Sequence, residues 1–153
     1  LFSIVLLSAH WLSAQNAFFS ETFDGGIPDD WSALEIQGNG AASANWTWTG
    51  QGPQGSFAID PLFSTTANNG WMIFDSDLNC RQAPQEAWLV SPQIDGTGRN
   101  VVFLSFETYF RSFNDLPTVE VSVDSVNWTS FEIFPGILAN DYGAAPDENP
   151  QTI

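Results

Sequence analysis

Apolar residues along the chain come in short runs, broken every few positions by Gly, Pro, Asn or Asp, and no run keeps a helical period. That rhythm predicts short strands and turns rather than helices. The clearest strand is VVFLSFETYF, 101–110. By the period-2 rule Val102, Leu104, Phe106, Thr108 and Phe110 share one face. Val101, Phe103, Ser105, Glu107 and Tyr109 share the other. Both faces start apolar, so this strand is expected in the middle of a sheet. TVEVSVD, 118–124, alternates cleanly, with Val119, Val121 and Val123 on one side and Glu120, Ser122 and Asp124 on the other. Asp124-Ser125-Val126-Asn127 then reads as a tight connection into WTSFEIF, 128–134, and the two strands form a hairpin.

Shorter strands are expected at 17–23, 45–49, 56–60, 71–75 and 87–91. Asn39-Gly40 and Asn69-Gly70 are turn dipeptides between them, and Gly38–Ala44 is a small-residue loop. The whole pattern is that of an all-β sandwich.

The two ends differ from the middle. LFSIVLLSAHWLSAQ is apolar and uncharged, and it is too short for a membrane span, which needs about 20 apolar residues. It reads as the apolar and cleavage regions of a secretory signal, with the cut at Ala14 and the mature chain starting near Gln15. The tail DYGAAPDENPQTI is rich in Pro and acids, and another strand could begin in it. The first strand has no obvious partner, so the closing strands of the domain are expected beyond Ile153.

Composition narrows the chemistry. The 153 residues carry a formal charge of −15. The three basic residues are Arg81, Arg99 and Arg111, and there is no Lys. Such a surface repels nucleic acid, whose binding needs Lys and Arg to displace counterions. His10, the single His, lies inside the expected signal, so the mature chain lacks the commonest general base. A Ser–His–Asp triad and a histidine zinc site are thereby excluded, as are a lysine Schiff base and a phosphate-binding loop with its Lys. Cys80 is the single cysteine, which leaves no disulfide within the chain and reads as a small packed residue.

The order of motifs carries a resemblance. FFSETFDGGIPDDW, then Glu86-Ala87-Trp88-Leu89-Val90-Ser91-Pro92-Gln93-Ile94-Asp95, then Leu104-Ser105-Phe106 and the VEVSVD…WT hairpin follow one another. Over roughly residues 17–134 this series resembles the bacterial choice-of-anchor J and cleaved-adhesin domains, of the MAM-like jelly-roll group. The resemblance implies a jelly-roll β-sandwich of two antiparallel sheets, here residues 15–153 after a 1–14 signal and truncated at its C-terminal end. It also implies a secreted or cell-surface protein of a Gram-negative bacterium, joined to other domains of one polypeptide. Modules of this kind often hold structural calcium.

Three uses of the polar and aromatic residues follow. Calcium takes six to eight oxygen ligands, which acidic turns supply. Glu21 and Asp24, with the Gly25 carbonyl, make one such turn, and Asp75 or Asp77 could complete it. The plainer reading is a solvated turn ahead of Trp31. Trp46 and Trp48 alternate in NWTWT and, with Tyr109, could offer rings to a glycan or protein surface, although alternating rings serve a sandwich core equally well. Trp71, Trp88 and Trp128 are further candidates. Carboxylates alone could hydrolyse a glycoside, and Glu107 is the best placed of Glu107, Glu120 and Glu132. Its plainer role is a pair with Arg111, which is in phase with it. Asn45 and Asn127 both head Asn-Trp-Thr acceptor motifs, which the bacterial resemblance expects to stay unused. The expectation is a non-catalytic extracellular module for adhesion or substrate targeting, with a carboxylate glycosidase or a structural spacer as alternatives.

Overall fold

Ten short strands carry the chain in a computed structural model that describes residues 17–38, 44–78, 84–113, 115–143 and 151–152. They are β1 (Ser32–Gln37), β2 (Thr47–Thr49), β3 (Trp71–Ile73), β4 (Glu86–Val90), β5 (Ser105–Phe106), β6 (Phe110–Arg111), β7 (Thr118–Val121), β8 (Thr129–Glu132), β9 (Tyr142–Gly143) and β10 (Gln151–Thr152). A single 3-10 turn, Ala67–Asn69, is the helical element among the described residues. The protein is therefore β-rich and antiparallel, as the residue pattern predicts. The expectations for the 1–14 signal, Asn39-Gly40 and Cys80 lie outside the described residues.

The strands pair as five two-stranded ladders: β1–β4, β2–β3, β5–β10, β6–β9 and β7–β8. β2, β3 and β4 fall within the stretches expected at 45–49 and 71–75 and around 87–91. The hairpin also forms, with Val119 opposite Phe131 and Val121 opposite Thr129. Its strands are shorter than expected, because Ser122–Asn127 all belong to the connection.

Three expectations are corrected. Residues 17–23 form no strand. Phe23 takes a positive φ of 53°, and its carbonyl accepts from Gly26 N–H at 3.3 Å, so the chain turns there. Residues 56–60 also form a turn, closed by Ala58 N–H on the Gly55 carbonyl. The long strand 101–110 is two fragments, β5 and β6, and Val101–Leu104 stay exposed outside any ladder. A strand apolar on both faces needs neighbours along its full length. Among the described residues it finds them only at β10 and β9.

One strand escaped the sequence reading. β1, SALEIQ, pairs with β4, Ser32 opposite Val90 and Leu34 opposite Trp88, with a bulge between Glu35 and Gln37. Its period-2 signal, Leu34 and Ile36, is brief, and both remain exposed. The segment after β1 docks on this ladder. Asn45 Nδ2 donates to the Ala33 carbonyl at 3.0 Å, Trp46 Nε1 to the Ala87 carbonyl at 3.1 Å, and Glu35 accepts from Ala44 N–H at 3.1 Å. Ala44 is the fully buried apolar side chain among the described residues.

Elsewhere ring pairs do the packing. Trp88 meets Trp128 edge-on at 5.7 Å and so joins β4 to the start of β8. Phe110 stacks on Phe134 at 5.8 Å. Such pairs add about 0.5–1.5 kcal/mol beyond the area they bury.

Candidate binding face

The arrangement that gathers most chemistry starts from a simple spacing. In Thr108-Tyr109-Phe110-Arg111 the period-2 rule sends Tyr109 and Arg111 to one face and Phe110 to the other. Phe110 fastens its side by stacking on Phe134. β9 then pairs with β6 so that Tyr142 lies opposite Arg111. Cross-strand partners share a face, and the diagonal neighbour two residues along is still in reach of an aromatic ring. Tyr142 accordingly stacks on Tyr109 with centroids 5.9 Å apart and planes 17° apart. The Arg111 guanidinium lies 5.8 Å from the Tyr142 ring centre. These are the only two tyrosines in the sequence and one of its three cations.

Two further segments frame the face. Ser112, almost wholly buried, extends the β6–β9 ladder: its N–H donates to the Asp141 carbonyl at 2.9 Å, and its carbonyl accepts from Asn140 N–H at 2.8 Å. Asn140 bends away with a φ of 71°, a conformation Asn tolerates better than most residues, and its Oδ1 accepts from Arg111 Nη2 at 3.2 Å. On the other side the 57–65 loop runs past the strand. The Phe57 carbonyl accepts from Arg111 Nη1 at 3.4 Å. Thr65 donates its N–H and its hydroxyl to Glu107, the hydroxyl at 2.6 Å. This loop carries Phe57 and Phe63, 74% and 75% exposed, and Tyr142 is 56% exposed.

Burial raises the pKa of Tyr109 above its ordinary value, helped by the neighbouring Tyr142 and by Asp60. The phenol therefore stays protonated and can both donate and accept. Among the described residues Arg111 Nε is buried without an acceptor. The face thus offers exposed rings, a neutral phenol, a guanidinium and an amide.

The residues singled out from the sequence distribute unevenly. Tyr109 stands in this face. Trp48 lies in β2, and its Nε1 donates to the Phe23 carbonyl at 2.8 Å. Trp46 precedes β2, with its indole bonded to β4 and its ring 6.0 Å from Phe74. Both indoles act as ties between segments. Arg111 makes no pair with Glu107, which is held by Thr65 instead. Tyr142 and Phe57 were missed, and Arg111 was named only as the residue in phase with Glu107.

Three of the acids expected to hold calcium, Glu21, Asp75 and Asp77, accept hydrogen bonds from backbone amides. Glu21 Oε1 accepts from the N–H groups of Thr22 and Phe23 and closes a local turn. Asp75 accepts from Gln54 N–H at 2.6 Å and from Leu78 N–H at 3.1 Å, and Asp77 accepts from Phe57 N–H. These two carboxylates fasten the 54–57 loop to the turn after β3. Asp24 is exposed. Among the described residues no three Asp, Glu, His or Cys side chains converge as a metal would require.

Both Asn-Trp-Thr motifs are occupied internally. Asn45 is bonded to β1, and Asn127 Nδ2 donates to Asp124 at 2.7 Å. A separate shallow recess of about 370 Å³ is lined by Gln93–Thr97, all from one loop. There the Thr97 side chain, and then its N–H at 2.9 Å, lower the pKa of Asp95.

Comparison of the chain with models of protein families, with curated proteins and with solved structures gives no match.

Proposed function

We propose that this chain is a non-catalytic extracellular binding module of a larger secreted or surface-displayed bacterial protein, and that the face built by Tyr109, Tyr142 and Arg111 binds a glycan. The observation that carries the reading is the gathering of both tyrosines and a guanidinium on one ladder beside the exposed rings of Phe57 and Phe63. Flat rings cover the apolar faces of sugars, while the phenol, amide and guanidinium meet hydroxyl groups. Rigid aromatics make good contact surfaces because little rotamer freedom is lost on binding.

The resemblance to the choice-of-anchor J and cleaved-adhesin domains supports the same reading and, with it, a jelly-roll arrangement of these ladders. The absence of Lys and the placement of the single His in the apolar leader agree with a binding rather than a catalytic role. Glu107 adds to this, since a carboxylate already accepting the N–H and the hydroxyl of Thr65 is poorly placed to deliver a proton.

The test is a glycan array probed with the full chain and with Tyr142→Ala. Binding by the parent that falls at least about fivefold in the variant supports the face, as expected for an anchor worth about 1 kcal/mol or more. An array with no hits favours a spacer role, and hits unaffected by the substitution move the site elsewhere. Selective capture of a protein rather than any glycan would replace the ligand class.

A further inference from the structure

Arg111 stands out on charge alone. The chain has 18 acidic residues and three arginines, yet among the described residues the Arg111 guanidinium meets no carboxylate. Its two hydrogen bonds go to neutral oxygens, the Phe57 carbonyl and Asn140 Oδ1. Glu107, the acid in phase with it, is engaged by Thr65. A guanidinium has five N–H donors. Among the described residues Nε is buried without an acceptor, and each terminal nitrogen makes a single bond. The group is half-buried, beside the exposed ring of Tyr142. Its planar fork matches a carboxylate, and a charge-assisted pair is about twice as strong as a neutral hydrogen bond.

We infer that this face selects a carboxylate-bearing sugar, a uronate, over its neutral counterpart; the inference rests on the glycan-binding reading above. The carboxylate meets the free terminal N–H groups of Arg111, and the sugar ring lies against the exposed aromatics. The charge of the whole chain restricts the ligand further. A net −15 repels densely sulfated polymers, whereas a sparse carboxylate docked within the Debye length, about 8 Å at physiological salt, answers mainly to Arg111 and its neighbours. Exposed Asp60 is close enough to act on Tyr109.

The experiment is calorimetric titration of the full chain with trigalacturonate and with its fully methyl-esterified form, which keeps the rings and removes the charge. The acid is expected to bind about tenfold tighter than the ester, the scale of one charged hydrogen-bonded contact. That preference is expected to weaken as salt is raised, to fall within about twofold in Arg111→Gln, and to be partly restored in Arg111→Lys. Heparin is expected to bind more weakly than trigalacturonate.

Equal binding of acid and ester by the parent chain overturns the inference whatever the variants do. If Tyr142→Ala weakens both ligands in that case, the glycan face itself survives. Neutral glycans binding on the array while trigalacturonate does not also overturns the inference and spares the face. Failure of every glycan overturns both. Tighter binding of heparin, or of an acidic peptide at the same face, replaces the uronate with another class.

Discussion

The β7–β8 hairpin and the β6–β9 ladder are both antiparallel pairs, but they are held together in opposite ways. The hairpin is local. Asp124 accepts from Val126 N–H at 2.9 Å, from Asn127 N–H at 2.7 Å and from the Asn127 side chain, so one carboxylate organises a turn within three residues of itself. Ser125 takes a positive φ of 59° inside that turn. The β6–β9 ladder instead joins residues about 30 positions apart, and the loop that frames it comes from more than 40 positions upstream in sequence. Closing such loops costs more chain entropy, and only packing can offset it. The difference teaches that the turn depends on a side chain and its own amides, while the face around Tyr109 and Arg111 depends on ring contacts far from it in sequence.

The comparison breaks most sharply at Phe110. Phe110→Ala removes the stack on Phe134 that fixes the back of the ladder, and the expected cost is about 2–3 kcal/mol in urea unfolding, below the range for a fully buried Phe. Glycan binding is expected to be lost with it, while the amides of the β7–β8 turn keep their hydrogen-exchange protection. A substitution that loosens both regions equally would show that they are not separate units of stability.

Gly70→Ala tests a second long-range tie. Gly70 is buried at a φ of 82°, and an added Cβ would run into the Trp48 indole. A loss of about 1–3 kcal/mol is expected from the combined backbone and steric strain, read as a lower thermal midpoint. An unchanged midpoint would show that the Trp48 tie to the Phe23 turn carries little stability.

On the local side, pH is the lever. The Asn127 N–H, then its side chain and the Val126 N–H, hold the Asp124 carboxyl well below the usual carboxylate range. The folded value lies below the unfolded one, so the contribution is complete above an ordinary carboxylate pKa of about 4 and is lost as pH falls through the lower folded value. NMR titration should therefore show the Asn127 and Val126 amides unmoved between neutral pH and about pH 4, shifting only in stronger acid. In Asp124→Asn that acid transition should vanish. A transition near the ordinary carboxylate value would mean that the turn bonds do not persist in solution.

Smaller effects are expected elsewhere. Glu107→Gln keeps an acceptor for Thr65, and a loss of about 1 kcal/mol is the natural scale for one weakened charged hydrogen bond. Neither protein is expected to release reducing sugar from polysaccharides. Turnover by the parent chain that disappears in Glu107→Gln would restore the glycosidase reading. Smallest of all is the response to a chelator. With Asp75 and Asp77 engaged by backbone amides, EDTA should move the melting midpoint by less than about 1 °C, whereas removal of a tightly held ion would lower it by several degrees.

How much was legible depended on how far each signal reached. The hairpin could be read because TVEV and its turn residues carry both alternation and Asx chemistry in one stretch. β2, β3 and β4 were marked by Trp and branched aliphatic residues between Gly and Pro breaks. The 17–23 stretch looked like a strand from its Phe residues, but Glu21 bonds its own neighbouring amides, and that competing local chemistry turned the chain. β1 was hidden because two apolar residues are too few to outweigh Glu35 and Gln37. In the candidate face Tyr109, and the phase of Glu107 with Arg111, were visible, whereas Tyr142 sits in a Gly-Ala-Pro-rich tail with no alternation.

The sequence by itself determined the class of structure and the chemistry available to it: strand-length apolar runs, a large excess of carboxylates, rings in abundance, no Lys and a single His. Those properties belong to residues and their immediate neighbours. Only the tertiary structure decided which carboxylates would hold loops, which indoles would act as ties, and which guanidinium would meet no acid among the described residues. Each of those outcomes depends on pairing between segments distant along the chain, where alternation reports which face a residue takes but not what it will meet there.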